Sequence, residues 1–235
     1  MTAALVDALT THASELASAA HDAMYRDPFW MARFGVRGER FSREDGARHV
    51  SYLVETIRSE HSAVLTDYAR WLQSVLVTRG MCSLHLADNF ARLADAIRDR
   101  GIADAPIAAR YLEHARAALV RTDEPARSID LAVETLSTSG ARRLASDGLS
   151  ELACRLELRS LASYLADAVA LRDPALFAKH VRWSAQTLAA HPAIPTESYA
   201  KIVEALTVAC DALPAASSIA AREVIAVART EQAWP

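Results

Sequence analysis

An internal repeat at a fixed spacing of 112 residues constrains this chain more than any other feature of its sequence. With that shift, Ser51-Tyr52-Leu53 falls on Ser163-Tyr164-Leu165 and Arg70-Trp71 falls on Arg182-Trp183, without a gap. Similar pairs are Glu55 and Asp167, Ile57 and Val169, Leu65 and Phe177, and Leu76 and Leu188. Matches at one offset are the signature of a duplicated supersecondary unit. We therefore predict two helical halves, residues 1–121 and 122–235, packed together as one globular unit.

Composition and periodicity predict an all-α, multi-helix fold. The chain has 235 residues, of which 51% are hydrophobic and 23% charged, so it can bury a substantial core. Good helix formers dominate, and β-branched and aromatic residues do not gather into alternating runs. Apolar residues between positions 50 and 76 recur at helical spacing, which is typical of buried helix faces.

The repeat also locates helix boundaries. Asp173-Pro174 reads as an N-cap followed by the first residue of a helix. Its counterpart, His61-Ser62, should therefore be a break between two helices, which we predict over 43–58 and 62–79. We further predict one amphipathic helix over 3–24 and a short aromatic helical segment over 29–34, interrupted by Gly35 and Gly38.

Charge and cysteine content exclude several classes of function. A net charge of −3 gives no electrostatic reason to expect nucleic acid, because proteins that bind duplexes normally carry a basic face. No apolar run approaches the roughly 20 residues that a membrane span needs, and the N-terminus lacks a signal sequence. We therefore expect a cytoplasmic protein. Cys82, Cys154 and Cys210 are an odd number without CxxC spacing, which predicts buried free thiols.

Metal and enzyme motifs are missing from the sequence. None of the eight histidines lies three residues after an acid, as the Glu-x-x-His spacing of di-iron bundles requires. His12 with Glu15 and His85 with Asp88 have the reverse spacing, which favours surface or capping roles. Nucleophile elbows, phosphate loops and dinucleotide fingerprints are also missing, so a non-enzymatic protein is expected, although scattered catalytic residues are not excluded.

Rings, imidazoles and a thiol gather along residues 49–85 and form the candidate binding site. His49 and Tyr52 are three residues apart, as are Tyr68 and Trp71, so each pair shares one helix face. Such residues can line a cleft for a small molecule. The alternative is that the aromatic residues are core residues with their polar tips at the surface. The candidate residues are His49, Tyr52, His61, Tyr68, Arg70, Trp71, Cys82 and His85.

Two arginines recur beside tryptophans in both halves. Arg70 and Arg182 could each bind an anionic ligand or pair with a carboxylate within the fold. Their recurrence favours the structural role, because one ligand site would not need the pair twice. Function would then rest on residues that the halves do not share, namely His49, His61, Tyr68, Cys82 and His85.

Part of each half resembles phycobiliproteins and related bilin-associated bacterial globins. The resemblance is carried by Asp67-Tyr68-Ala69-Arg70-Trp71-Leu72, a loop near Gly80, a helix ending at Ala94-Asp95-Ala96-Ile97-Arg98 and the turn over 101–107. A similar series runs from 171 to about 227. The resemblance implies a globin-like fold and a tetrapyrrole cofactor, either a bilin or a haem. The family's cysteine anchor is replaced by His61 and Asp173, so the pigment would be held non-covalently.

These observations lead to two main hypotheses. The first is a non-enzymatic ligand-binding or sensory protein in which His49 or His61 contacts a tetrapyrrole and Arg70 pairs with its propionate. The second is a helical scaffold in which an exposed apolar face recruits a protein partner or a second copy. A metal-dependent helical-bundle oxygenase is a third alternative, weakened by the missing Glu-x-x-His pairs.

Overall fold

The computed structural model describes residues 2–188 and 194–230, and over these ranges it confirms the all-α fold. The described residues form twelve α-helices and no β-strand. The helices are α1 Thr2–Thr11, α2 Ala13–Tyr25, α3 Pro28–Ser59, α4 Ala63–Val77, α5 Ser83–Asp99, α6 Ala105–Ala118, α7 Ala126–Leu131, α8 Val133–Ala145, α9 Glu151–Leu171, α10 Pro174–Leu188, α11 Tyr199–Ala209 and α12 Ala215–Thr230. None of these described helices is both long and apolar enough to cross a membrane.

The first helices differ from their predicted bounds. The helix predicted over 3–24 is broken at His12, which has non-helical backbone angles, although its apolar spacing continues across the break. The interruption predicted at Gly35 is confirmed, because its non-helical backbone separates two helical stretches within α3; the second stretch begins before residue 43 and continues through Gly38, where a further interruption was predicted. Gly35 has φ of 58° and ψ of −167°, a conformation that glycine adopts without steric cost.

A left-handed residue ends the longest helix of each half. The predicted break at His61-Ser62 is confirmed, because α3 ends at Ser59 and α4 begins at Ala63, with Glu60 at φ of 57°. In the second half α9 ends before Arg172, at φ of 52°, and α10 begins at Pro174 as predicted. A single residue with positive φ stops the helical hydrogen bonds and redirects the chain.

The chain forms two compact units, of which the first comprises Met1–Val75 and His85–Leu119. Helices α1, α2 and α6 pack on α3 within this unit. A Cβ on Gly46 of α3 would lie 3.0 Å from Ala17 Cβ of α2, so glycine permits the close approach of these two helices. Fully buried core side chains of the unit are Leu5, Leu9, Leu16, Leu53, Ile57, Leu65, Phe90, Leu93, Ile97 and Leu112.

The second unit comprises Leu76–Leu84 and Val120–Pro235. Helices α7, α8, α10 and α12 pack on α9. Gly140 of α8 repeats the close-approach role, since a Cβ there would lie 2.8 Å from a methyl group of Leu158. All three cysteines are free and buried, as predicted, and Cys82, Cys154 and Cys210 belong to the core of this unit.

A buried charge network anchors the segment 76–84 to α9 within the second unit. The Asp167 carboxylate accepts hydrogen bonds from the Ser83 amide at 2.8 Å and the Ser83 hydroxyl at 2.6 Å. The Arg121 guanidinium donates to the same carboxylate at 2.5 and 3.0 Å. The Asp167 side chain is 1% exposed and that of Arg121 16%, so the pair is shielded from water and each charge depends on the other.

Replacing Asp167 with Asn should lower the free energy of unfolding by about 3 kcal/mol, because a nearly buried guanidinium loses its counter-charge. The matched control is Glu55→Gln, the residue 112 positions earlier, whose side chain is 55% exposed. Loss of that surface charge should change stability by less than about 1 kcal/mol. Urea denaturation followed by circular dichroism measures both. Equal losses in the two variants would contradict the assignment of Asp167 as an anchor.

Candidate binding site

Three rings of the first unit form a stack, here called the first aromatic stack and made of Tyr52, Tyr68 and Trp71. Tyr52 of α3 lies against Tyr68 of α4 with ring centroids 3.8 Å apart and planes 14° apart. Trp71 continues the series, 6.1 Å from Tyr68 at 32°. The spacing arises because α4 folds back along α3 after Glu60, so that positions 52 and 68, eight residues on either side, face each other.

His49 fixes the central ring of the stack, Tyr68, from the buried side. Its Nδ1 atom shares a hydrogen bond of 2.8 Å with the Tyr68 hydroxyl. The imidazole also packs edge-to-face on Phe90 of α5, with centroids 5.1 Å apart. His49 is 3% exposed and Tyr68 6%, so the hydrogen bond is enclosed by protein. A shielded pair with one fixed geometry orients the ring above it.

Burial shifts the titration of both groups. Burial, and then the positive charge of Arg48, lower the pKa of His49 from 6.5 to about 3. Burial raises the pKa of Tyr68 above its ordinary value, with Asp45 and Tyr52 acting in the same direction. Near neutral pH His49 is therefore a neutral imidazole and Tyr68 a neutral phenol. This state suits a structural hydrogen bond and not a proton transfer, which needs a pKa close to the working pH.

The outer rings of the first aromatic stack face solvent. Tyr52 is 40% exposed and Trp71 58% exposed, although both are large aromatic side chains. Arg70, beside Trp71, is exposed and forms a surface ion pair with Asp67 at 3.4 Å. The structure therefore joins His49, Tyr52, Tyr68 and Trp71 in one place, with an open aromatic surface.

The other candidate residues lie elsewhere. His61 is exposed in the turn between α3 and α4. Cys82 is 1% exposed in the core of the second unit, whereas the other seven candidates belong to the first. The surface position predicted for His85 is wrong, because this side chain is 4% exposed and lies against Phe29 and Trp30, with ring centroids 5.1 and 4.8 Å away.

The second unit contains a ring series with almost the same geometry, here called the second aromatic stack and made of Tyr164, His180 and Trp183. Tyr164 lies 3.6 Å from His180 with planes 14° apart, and His180 lies 6.1 Å from Trp183 at 26°. All three positions are 112 residues after those of the first stack. Two rings of the second stack are covered, since Tyr164 is 2% exposed and His180 is fully buried, whereas Trp183 is half-buried.

Sequence reasoning missed the residues that cover the second stack. Tyr164 donates a hydrogen bond of 2.6 Å to the Gly80 carbonyl, and Ser163 accepts one of 3.2 Å from the Leu84 amide. Asp167 and Ser83 complete the set. The offset of 112 already pointed to Ser163, Tyr164 and Asp167, but the segment 80–84 lies about 80 residues away in sequence and carries no local signal of its partner.

Stacking and hydrogen bonding are the chemistry that the site offers. Over residues 2–188 and 194–230, no group of three or more histidine, cysteine, aspartate or glutamate side chains is arranged to hold a metal ion. His12 contacts Glu15 at 3.2 Å in a surface pair, in keeping with the predicted surface role. The open rings of Tyr52 and Trp71 therefore define the candidate binding site.

Comparisons with known proteins do not assign the chain to a family. No protein-family model, curated protein or solved structure matches it.

His49 should make the protein less stable in mild acid. Because its pKa is about 3 in the folded state and 6.5 when unfolded, the unfolded chain gains the proton first as pH falls below 6.5. The contribution is present in full above pH 6.5 and is lost as pH falls towards 3. Between pH 7 and 5 it amounts to about 2 kcal/mol.

The measurement is the free energy of unfolding of the wild type and of His49→Gln at pH 7 and pH 5. The variant should lose about 2 kcal/mol less than the wild type over this interval. His61→Gln is the control for the loss of one imidazole at an exposed position. A wild-type pH dependence in His49→Gln would show that this imidazole does not titrate as described.

Proposed function

We propose that this chain is a non-enzymatic, cytoplasmic binding protein that recognises a protein partner through the open face of its first aromatic stack. One observation carries the proposal: Tyr52 and Trp71 expose 40% and 58% of their surface while the ring between them is fixed from below. Tyrosine, tryptophan and arginine dominate the energetic centres of protein interfaces. The face offers two of these, Tyr52 and Trp71, and Arg70 is exposed on the same helix as Trp71.

Preorganisation supports this function. A ring that is already held in its binding orientation loses little conformational entropy when a partner covers it. Tyr52 is held by stacking on Tyr68, and Tyr68 by its hydrogen bond to His49. The shifted pKa values of His49 and Tyr68 favour a structural pair over a catalytic one. Three buried free thiols fit a reducing compartment.

We also propose that the two halves arose by duplication of one helical unit. The matching ring geometries of the two stacks support it, because centroid distances of 3.8 and 3.6 Å recur at the same offset. The left-handed residues Glu60 and Arg172 are likewise 112 positions apart. In this proposal the first stack is the copy that remains available to a partner.

A photo-crosslinking residue tests the interface in cells of the source organism. Replacing Trp71 with p-benzoylphenylalanine should give a discrete adduct after illumination, which mass spectrometry identifies. Tyr52→Ala in the same chain should reduce the yield of that adduct, because the neighbouring ring is removed.

The control is the same replacement at Leu131, which is 59% exposed and so matches Trp71 in accessibility. Accidental collisions would label both positions to a similar extent. The proposal fails if position 71 yields no adduct beyond those formed at position 131.

A planar tetrapyrrole is the second candidate for the same face. The resemblance to bilin-associated globins suggests it. The open Trp71 ring can stack on a pigment, and the Arg70 guanidinium, exposed on the same helix, can pair with a propionate. His49 is enclosed against Tyr68 and Phe90, so surface stacking fits this geometry better than ligation by that imidazole.

Absorbance spectra of the protein with added haemin or biliverdin test the pigment. A bound pigment should show a shifted visible band, which Trp71→Ala and Arg70→Ala should weaken and His49→Ala should leave in place. His61→Ala tests the exposed histidine in the same way. An unshifted band at equimolar pigment would remove the tetrapyrrole as a ligand.

A further inference from the structure

The helix face that holds a chain segment in the second unit has an uncovered counterpart in the first. In α9 the face consists of Ser163, Tyr164 and Asp167, which together bind residues 80–84. The residues 112 positions earlier, on α3, are Ser51, Tyr52 and Glu55. Each pair keeps its chemical type: a serine, a tyrosine and a carboxylate.

Each side chain of the α9 face recognises a different group of the bound segment. The tyrosine hydroxyl donates to a backbone carbonyl, at Gly80. The carboxylate accepts from the amide and the hydroxyl of Ser83, the first residue of α5. The serine hydroxyl accepts from the next amide, at Leu84. The bound element is thus a turn followed by the N-terminus of a helix.

The α3 face carries the same three functional groups as the α9 face, but here they are exposed to solvent. Ser51, Tyr52 and Glu55 are all exposed. Ser51 donates its hydroxyl proton to the Ala47 carbonyl at 3.1 Å, which leaves the oxygen able to accept a hydrogen bond. Glu55 forms an exposed ion pair with Arg58 at 3.4 Å, an interaction of a kind that contributes little and is readily exchanged.

We infer that the Ser51, Tyr52 and Glu55 face is a docking site for a helix N-terminus of a partner protein, preceded by a turn and with serine or threonine as the first helical residue. The partner's turn carbonyl accepts from Tyr52, and the amide and hydroxyl of that first residue donate to Glu55. A carboxylate at this place complements the positive end of a helix dipole. The inference rests on the proposed function, because it names the chemistry of the partner that the aromatic face recognises.

Two segments of a second copy are unsuited to this face. Its residues 80–84 already occupy its own α9 face. The position in its second half that corresponds to Ser83 is Pro195, which has neither an amide proton nor a hydroxyl. We assign the occupant to a different protein, and a second copy is the alternative that the sedimentation experiment below tests.

A peptide with the sequence of residues 76–88, labelled with fluorescein and kept reduced, is the probe. Fluorescence anisotropy should show that it binds the full chain. Tyr52→Phe should weaken binding about fivefold, as expected for the loss of one neutral hydrogen bond, and Glu55→Gln about tenfold, because two hydrogen bonds lose their charged acceptor. The same peptide with Ser83→Pro should not bind, since it lacks the amide and hydroxyl that the carboxylate accepts.

The second unit supplies the matched control. Tyr164→Phe alters the equivalent hydroxyl on α9 and should leave the affinity for the peptide unchanged. Binding that is weakened by Tyr164→Phe and not by Tyr52→Phe would mean that the peptide exchanges into the second unit, which would overturn the inference. Absence of binding would overturn it as well.

Two further outcomes separate this inference from the proposed function. If position 71 gives its adduct in cells while the peptide does not bind, the interface stands and the assigned partner chemistry is wrong. Sedimentation of the full chain tests whether a second copy of this chain occupies the face instead. A dimer that Tyr52→Phe dissociates would place a second copy on the face and overturn the assignment to another protein.

Discussion

The reversal of the chain at a single left-handed residue is the constraint from which the candidate site follows. Glu60 takes a positive φ without being glycine, a conformation that costs about 1 kcal/mol and must be compensated by packing. The compensation lies along the two helices it joins, where Tyr52 meets Tyr68 and His49 meets the Tyr68 hydroxyl. Ring stacking and reversal therefore depend on each other.

Local signals made the fold class and several boundaries predictable. The pair Asp173-Pro174 is itself typical of a helix N-terminus. Its counterpart 112 residues earlier is His61-Ser62, where the repeat predicted a helix break that the local sequence does not indicate. The break at His12 was missed because the apolar spacing of α1 continues into α2. The interruption at Gly35 was predicted and is confirmed, but Gly38 was wrongly taken as a second one, and the helical stretch after Gly35 begins before residue 43.

The site was predictable in part. Helical spacing paired His49 with Tyr52 and Tyr68 with Trp71, and these four residues lie together. Spacing along one helix does not reveal which ring faces solvent. The exposure of Trp71 depends on how α4 packs, which the sequence does not show. His85 and Cys82 were grouped with them by sequence proximity alone. The chain turns between α4 and α5, and that turn sends Cys82 into the core of the other unit.

The assignment of segment 76–84 to the second unit has a consequence for dissecting the protein. The chain passes from one unit to the other after residues 75, 84 and 119, so no single cut separates them. A fragment that starts at residue 120 would keep Arg121 and Asp167 but lack Ser83 and Gly80. Its Tyr164 ring would then face water as Tyr52 does now. Such a fragment would expose its α9 face to solvent, and only a graft of the missing residues 76–84 would cover that face again.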